Sequence, residues 1–141
     1  MQDVSAALQE ADPAPIKTVL VVEDDAGLAE CLTLLLQDMT SYQVMHVFDG
    51  FAALKAVRTI TPHLILLDYM LPGMDGLQCL DQLRASKEAE RTAVILMSTA
   101  LPEGVQMRGR VQDRTDLVFL EKPFEMDTLL TLIRHILENA P

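Results

Sequence analysis

The chain has 141 residues, half of which are apolar, and it carries a formal net charge of −10. This length and apolar content predict one folded domain with a sizeable core. The excess of acidic residues argues against binding to nucleic acid or to an anionic membrane, because both of these partners attract a basic surface.

The first 16 residues are predicted to form an N-terminal extension rather than part of the domain. They lack the basic and apolar regions of a secretory signal, and Pro13 and Pro15 interrupt the chain before the first apolar run. No stretch of the sequence reaches the roughly 20 apolar residues that cross a bilayer. Cys31 and Cys79 lack the spacing of a paired metal or redox site, so we expect two small buried side chains in a reducing cytoplasm.

From residue 17 onward, short apolar runs alternate with longer stretches of helical periodicity. The apolar runs predict five strands, at 17–23, 42–48, 64–68, 93–98 and 117–120. The periodic stretches predict helices at 26–39, 50–60, 76–86 and 125–140, with a short, marginal helix within 101–116. Inward-facing apolar positions are predicted in three of these helices: Leu28, Leu32, Leu35 and Met39; Leu77, Leu80 and Leu83; and Met126, Leu130, Ile133 and Leu137.

This alternation predicts an α/β fold, (βα)5, in which a doubly wound, five-stranded parallel sheet is covered by helices on both faces. The expected strand order is flavodoxin-like, 2-1-3-4-5. In such sheets the ligand crevice lies beyond the carboxyl ends of the strands, where the strand order reverses. The residues that end the strands are therefore the candidates for a functional site.

Four acidic residues end the first and third strands. Glu23, Asp24 and Asp25 follow the first apolar run, and Asp68 closes the third. In a 2-1-3-4-5 sheet these strands are neighbours about 4.8 Å apart, so their carboxylates converge. Each pair of like charges at ~4 Å repels by about 4 kcal/mol at an effective dielectric constant of ~20. Such a cluster must take up protons or bind a cation, and carboxylates with room for water suit Mg²⁺ or Mn²⁺.

Two other strand ends supply a hydroxyl and an ammonium group. Ser98 and Thr99 close the fourth strand, and Lys122 follows the fifth. Taken singly, each such residue has a simpler explanation: an acid can cap a helix, as Asp25 is placed to do, a hydroxyl can bond to backbone, and a lysine can be a solvated charge. Together they are the groups that phosphoryl transfer requires, with Asp68 as the nucleophile.

Four stretches of sequence resemble the receiver domain of bacterial response regulators, in particular the single-domain chemotaxis regulators. They are VLVVEDD (19–25), LILLDYMLPGMDG (64–76), ILMSTA (95–100) and FLEKPF (119–124), and the resemblance covers about residues 17–139. It implies a cytoplasmic phosphoprotein of two-component signal transduction. Its phosphoryl group would come from a phosphohistidine of a sensor histidine kinase or of a phosphotransfer protein, and its downstream partner would be another protein.

The resemblance also implies roles for individual residues. Asp68 would be the phosphoacceptor. Mg²⁺ would be held by Asp24, Asp68 and the backbone carbonyl of Met70, with Glu23 assisting. Lys122 would pair with a phosphoryl oxygen, and the peptide bond between it and the following proline is typically cis.

In receivers, phosphorylation is coupled to a rearrangement near the fifth strand. The hydroxyl of the fourth strand moves onto the phosphoryl group, and an aromatic residue of the fifth strand, here Phe119, swings inward behind it. The surface of the fourth helix, the fifth strand and the last helix then changes for partner binding. Ser98 and Thr99 are both candidates for the hydroxyl, and counting from Asp68 favours Ser98. Phe119 has no hydroxyl, so the switch is expected to work by packing alone.

The main alternative is a degenerate receiver that docks a protein without accepting phosphate, and retention of the acids and the lysine argues against it. A haloacid dehalogenase-type phosphatase would need a second acid shortly after Asp68, where the sequence has Tyr-Met-Leu. A flavodoxin would need a phosphate loop rich in Ser, Thr and Gly where this chain has acids. A phosphohistidine carrier is disfavoured because His46, His63 and His135 show no shared site.

The expected protein is a signalling phosphoprotein rather than an enzyme that acts on other molecules. It would catalyse its own phosphorylation and slow dephosphorylation. Only Pro141 follows the last predicted helix, so no output domain is expected within this sequence. Output would then occur by contact with another protein, from a monomer or a weak dimer, unless the sequence is a receiver taken from a larger or hybrid protein.

Overall fold

The computed structural model of the protein describes residues 15–99 and 114–138. Five parallel strands form one sheet: β1 (Thr18–Val22), β2 (Gln43–Val47), β3 (Leu64–Asp68), β4 (Ala93–Thr99) and β5 (Val118–Lys122). Their order, β2-β1-β3-β4-β5, confirms the predicted flavodoxin-like topology. The predicted strand boundaries are correct to within one or two residues.

Four helices flank the sheet: α1 (Ala26–Met39), α2 (Gly50–Ile60), α3 (Gly76–Ala85) and α4 (Met126–Glu138). The boundaries of α1 and α2 match the predicted ranges, and an aspartate caps the amino terminus of each of α1, α2 and α3. The predicted cap of α1 is confirmed, since Asp25 Oδ1 accepts a hydrogen bond from the backbone N–H of Leu28 at 3.1 Å. None of the helices in the described ranges is long and apolar enough to cross a membrane.

Two of the sequence predictions fall largely or partly outside the described residues. The N-terminal extension is described only from residue 15, and most of the marginal helix predicted within 101–116 lies in the gap at 100–113. Residues 114–116, the end of that stretch, are described and are not helical, which leaves the prediction of a short helix within the stretch untested. Residues 139–141 also lie outside the described ranges.

The core has two layers, one on each face of the sheet, because successive strand residues point to opposite faces. Leu20, Val22, Ile65 and Leu67 pack against α2 and α3, whereas Val19, Val21, Leu64 and Leu66 pack against α1 and α4. All eight side chains are fully buried. The central strands are thus held in place from both faces, and their carboxyl ends are fixed relative to one another.

The inward face of α1 differs from the predicted one. Its buried residues are Ala29, Leu32 and Leu36, whereas Met39 is 52% exposed and Leu28 and Leu35 lie at the margin of the core. At 100° per residue, the centre of the buried face is rotated by roughly 60° from the centre of the predicted stripe. The rotation brings the small Ala29 against the sheet and leaves Met39 in solvent.

Three further burial predictions have mixed outcomes. Cys79 is buried as predicted, but the prediction for Cys31 is wrong, because its position on α1 faces solvent. The predicted stripe of α3 (Leu77, Leu80 and Leu83) is fully buried. In α4 the predicted Leu130, Ile133 and Leu137 are buried together with Leu129, and Met126 is only partly buried.

Arg84 fixes the entry to β5, the strand that carries Lys122. Its guanidinium donates to the backbone carbonyls of Ala89 at 3.0 Å and Thr92 at 2.7 Å, and to both the side chain and the carbonyl of Asp116. Arg114 adds a second ion pair to Asp116 at 2.7 Å. The end of α3, the loop into β4 and the start of β5 are therefore joined by charged hydrogen bonds.

Candidate functional site

Three consecutive acids form the turn between β1 and α1, and they have different surroundings. Glu23 is buried, with 1% of its surface exposed, whereas Asp24 and Asp25 are exposed. The Asp25 side chain caps α1, and its backbone N–H donates to Glu23 Oε2 at 3.2 Å. The Asp25 carboxylate is therefore used as the cap of α1. The carboxylates of Glu23 and Asp24 are the ones that could bind a cation.

Asp68, the last residue of β3, meets these acids because β1 and β3 are neighbours in the sheet. One carboxylate oxygen from each of Glu23, Asp24 and Asp68 lies within 4.8 Å of the other two. Asp68 is 4% exposed, so its charge sits at the bottom of the crevice rather than on its rim. The structure brings together the acids that the sequence analysis grouped at these strand ends.

Lys122, the last residue of β5, reaches across the crevice to the two buried acids. Its ammonium lies 2.7 Å from Asp68 Oδ1 and 3.2 Å from Glu23 Oε1. The Lys122–Pro123 peptide bond is cis. The lysine thus forms a direct ion pair with the Asp68 carboxylate.

The two candidate hydroxyls of β4 lie on opposite faces of the sheet. Thr99 pairs with Lys122 in the sheet register and alternates with Ile95 and Met97, which pack against α1 and α4 on the face shared by Asp68. Ser98 has the opposite parity. It is buried, and its Oγ has no hydrogen-bond partner among the described residues. Thr99 is exposed at the end of the strand, and both residues line the crevice.

The loop between β3 and α3 folds tightly over Asp68 because of a glycine that the sequence analysis did not select. A Cβ atom on Gly76 would lie 2.6 Å from the carbonyl oxygen of Asp68, well inside van der Waals contact. The Gly76 N–H donates to the carbonyl of Tyr69 at 2.8 Å. The glycine pair in the GMDG stretch was the available signal, since close backbone approach commonly requires glycine.

Two other predicted residues flank the site. The side chain of Met70 is 60% exposed, and the residue lines the crevice, which has a volume of about 530 Å³. Phe119 is partly buried and packs against the core layer of α2 and α3. It lies on β5, which is the neighbour of the strand that carries Ser98. Phe119 therefore lies on the opposite face of the sheet from Asp68 and Lys122.

The amino-acid sequence matches the family model described as the response regulator receiver domain over residues 19–134. The chain belongs to the receiver-domain family of response regulators. It is 38% identical over 116 residues to the DNA-binding response regulator MtrA of Mycobacterium tuberculosis, a match that covers 82% of this chain and 48% of MtrA. The chain thus spans about half the length of the curated relatives that it matches.

Solved structures of receivers have the same fold. A putative response regulator of Chloroflexus aurantiacus superposes with a TM-score of 0.75 at 26% identity, covering 88% of this chain and 99% of that one. The chemotaxis response regulator CheY4 of Vibrio cholerae has a TM-score of 0.75 at 25% identity, covering 87% and 100%. The family resemblance read from the sequence is therefore confirmed.

Burial of the receiver's acids changes their protonation. Burial raises the pKa of Asp68 and that of Glu23, and each is raised further by a neighbouring carboxylate, Asp24 for the former and Asp68 for the latter. Hydrogen bonds from Lys122 oppose these shifts without cancelling them. Burial alone would lower the pKa of Lys122, but its contacts with both acids outweigh that effect and raise it. The ionised acids are thus only partly compensated by the lysine.

The donor set of the receiver fits a small hard cation. Receiver domains bind Mg²⁺ at an acidic site, and here Glu23, Asp24 and Asp68 offer three converging carboxylate oxygens. Asp24 is exposed, which leaves room for the waters that Mg²⁺ retains. A divalent charge would also relieve the repulsion between carboxylates, which adds to the effect of burial in raising the pKa of Asp68 and of Glu23.

Removing the buried charge of Asp68 is expected to stabilise the metal-free receiver. Its raised pKa means that the ionised carboxylate is less favourable in the folded chain than in the unfolded chain. We expect Asp68→Asn to raise the Tm at pH 7 by a few degrees, about 1 kcal/mol, in circular dichroism melts with a chelator present. Asp38→Asn, which removes an exposed charge from α1, is the matched control.

The gain from Asp68→Asn should shrink as the pH falls from neutrality toward the ordinary value of 3.8. Over that range the wild-type Asp68 takes up a proton in the folded state and loses its unfavourable charge, which removes the difference from asparagine. A Tm that is unchanged or lower in Asp68→Asn at pH 7, or a gain independent of pH, would contradict this account of the site.

Proposed function

We propose that this receiver is a phosphorylation switch in which Asp68 accepts a phosphoryl group from a phosphohistidine. The donor would be a sensor histidine kinase or a phosphotransfer protein. The observation that carries the proposal is the contact of 2.7 Å between Lys122 Nζ and Asp68 Oδ1 beside the carboxylates of Glu23 and Asp24. A nucleophile, an ammonium and a cation-binding pair of acids converge there, and phosphoryl transfer depends on such positioning.

In the proposed reaction a carboxylate oxygen of Asp68 attacks phosphorus, a P–O bond forms, and the P–N bond of the phosphohistidine breaks. The electron pair of that bond leaves on the imidazole nitrogen, which is then protonated. Mg²⁺ held by Glu23, Asp24, Asp68 and the backbone carbonyl of Met70 would neutralise charge on the phosphoryl oxygens. The Lys122 ammonium, now on Asp68, would pair with one of those oxygens. Attack of water on phosphorus would later break the P–O bond to Asp68, release inorganic phosphate and restore the carboxylate.

We assign the switch hydroxyl to Thr99, whereas counting along the sequence favours Ser98. Thr99 shares the sheet face of Asp68 and pairs in register with Lys122, which supports contact with a phosphoryl oxygen. Ser98 shares the face of Phe119. Because Phe119 lies on the opposite face from Thr99, movement of Thr99 toward the phosphoryl group would reach Phe119 through the end of β4, and Phe119 would then shift by packing alone.

We infer that phosphorylation changes the surface that carries β5, α4 and the helix predicted within 101–116. A downstream protein would bind that surface, and the receiver would act there as a monomer or a weak dimer. A cytoplasmic location is consistent with phosphorylation by a sensor histidine kinase, and it stays a prediction from the sequence.

Phosphorylation is tested by incubating the protein with acetyl phosphate, with and without Mg²⁺, and measuring the intact mass. We expect a Mg²⁺-dependent gain of one phosphoryl group that is abolished in Asp68→Asn and retained in Asp38→Asn. Because the acyl phosphate is labile to hydroxylamine, treatment should reverse the gain. A folded protein that gains no phosphoryl group would instead favour the alternative of a receiver that docks a partner independently of phosphorylation.

The assignment of the hydroxyl is tested by comparing Thr99→Ala with Ser98→Ala. Losing a donor to the phosphoryl group should slow phosphorylation of Thr99→Ala by about tenfold or more in stopped-flow or mass kinetics with acetyl phosphate. Ser98→Ala removes a buried hydroxyl without a described partner, so its rate should stay near wild type and its stability should not fall. The reverse ranking of the two rates would assign the hydroxyl to Ser98.

A further inference from the structure

Both ends of β1 are bonded to an imidazole ring. At the amino end, the Thr18 N–H donates to His63 Nδ1 at 3.0 Å. At the carboxyl end, His46 Nε2 lies 2.7 Å from the backbone carbonyl oxygen of Glu23. Because a carbonyl oxygen only accepts, Nε2 of His46 carries the proton of this hydrogen bond.

The hydrogen bond from His46 takes the place of a backbone hydrogen bond between β1 and β2. The Glu23 N–H donates to the carbonyl of Val47 at 3.1 Å, and β2 ends at that residue. The next acceptor along β1 is the Glu23 carbonyl, and the imidazole of His46 bonds to it from the neighbouring edge strand. The ring of Phe48 packs edge-on against the imidazole, with 4.3 Å between ring centroids.

This carbonyl belongs to the peptide unit that joins Glu23 to Asp24. A peptide unit is planar, so fixing its carbonyl direction restricts the backbone on both sides. With the Glu23 N–H already bonded to Val47, the imidazole bond fixes the remaining polar group of that residue's backbone. The orientation of Glu23 and Asp24, two of the three clustered acids, therefore depends on a side chain that bonds to their backbone rather than to a carboxylate.

We propose that His46 is a positioning residue of the metal site, holding the Glu23–Asp24 peptide so that the two carboxylates are preorganised for Mg²⁺. The inference rests on the proposed function, because it concerns the same site. Partners that orient metal ligands typically contribute about 10- to 100-fold to metal affinity. His46 acts through backbone rather than directly on a ligand atom, so an effect at the lower end of that range is expected.

The chain supplies a matched control. His63 makes an imidazole–backbone bond to the same strand, but at the end remote from the acids. His46→Phe and His63→Phe therefore both delete one such bond to β1, and only the first removes a bond to the acidic turn. His46→Gln keeps an N–H donor and serves as the conservative variant.

Mg²⁺ affinity is measured on the full chain by NMR titration of backbone amides, with Tm recorded for each variant. We expect His46→Phe to bind Mg²⁺ about tenfold more weakly than wild type, His46→Gln to recover part of the loss, and His63→Phe to bind like wild type. The imidazole ¹⁵N shifts of the wild type should show the Nε2–H form of His46. A positioning role is established if only His46→Phe loses Mg²⁺ affinity and the loss does not correlate with the Tm values of the variants.

Wild-type affinity in folded His46→Phe would overturn the inference and leave the proposed function intact. An equal loss in His63→Phe would overturn it as well, because general loosening of β1 would then be the cause. If His46→Phe does not fold, His46→Gln decides alone, and unchanged affinity in that variant counts against the inference. A wild-type chain that binds no Mg²⁺ and accepts no phosphoryl group would overturn both the inference and the proposed function.

Discussion

The order of the strands forces the carboxylates of Glu23, Asp24 and Asp68 close together, and the properties of the site follow from the repulsion between them. β1 and β3 are adjacent, so Glu23 and Asp68 must share a crevice, and burial removes the water that would otherwise solvate them. Lys122 lies within 3.2 Å of both acids, but the pKa of each acid is still raised. One ammonium does not balance the acids, and the residual negative charge favours the binding of a divalent cation. In the proposed reaction the same ammonium would pair with a phosphoryl oxygen once the acid charge has been neutralised.

The two ends of the sheet have different tasks. At the amino ends of the strands, bonds such as Lys17 Nζ to the Leu137 carbonyl at 2.6 Å, together with the Arg84 contacts, join helices and loops to the sheet. At the carboxyl ends, the charges of Glu23 and Asp68 are only partly compensated, and these are the groups to which the proposed reaction is assigned. Burial of β3 on both faces connects these ends, because a strand without freedom to shift holds Asp68 in register with its neighbours.

Much of this arrangement could be predicted from the sequence because several local signals agree. Apolar runs predict the strands, Asp25 marks the start of α1, and the family motif fixes the order in which the acids and the lysine appear. The face of α1 could not be predicted well, since its leucines span a wide arc and only contact with the sheet selects Ala29 over Met39. Counting residues favours Ser98, whereas the strand alternation seen in the structure places Thr99 on the sheet face of Asp68. No local pattern indicates that His46 reaches a carbonyl on the neighbouring strand.

The most direct test of the account is a crystal structure with Mg²⁺ and beryllofluoride, which mimics the phosphoryl group on an aspartate. The charge balance predicts that beryllofluoride binds Asp68, that the metal binds at Glu23 and Asp24, and that Lys122 leaves the Asp68 carboxylate to contact a fluoride. A structure in which Lys122 stays on Asp68 and Glu23, with no metal or fluoride in the crevice, would contradict it.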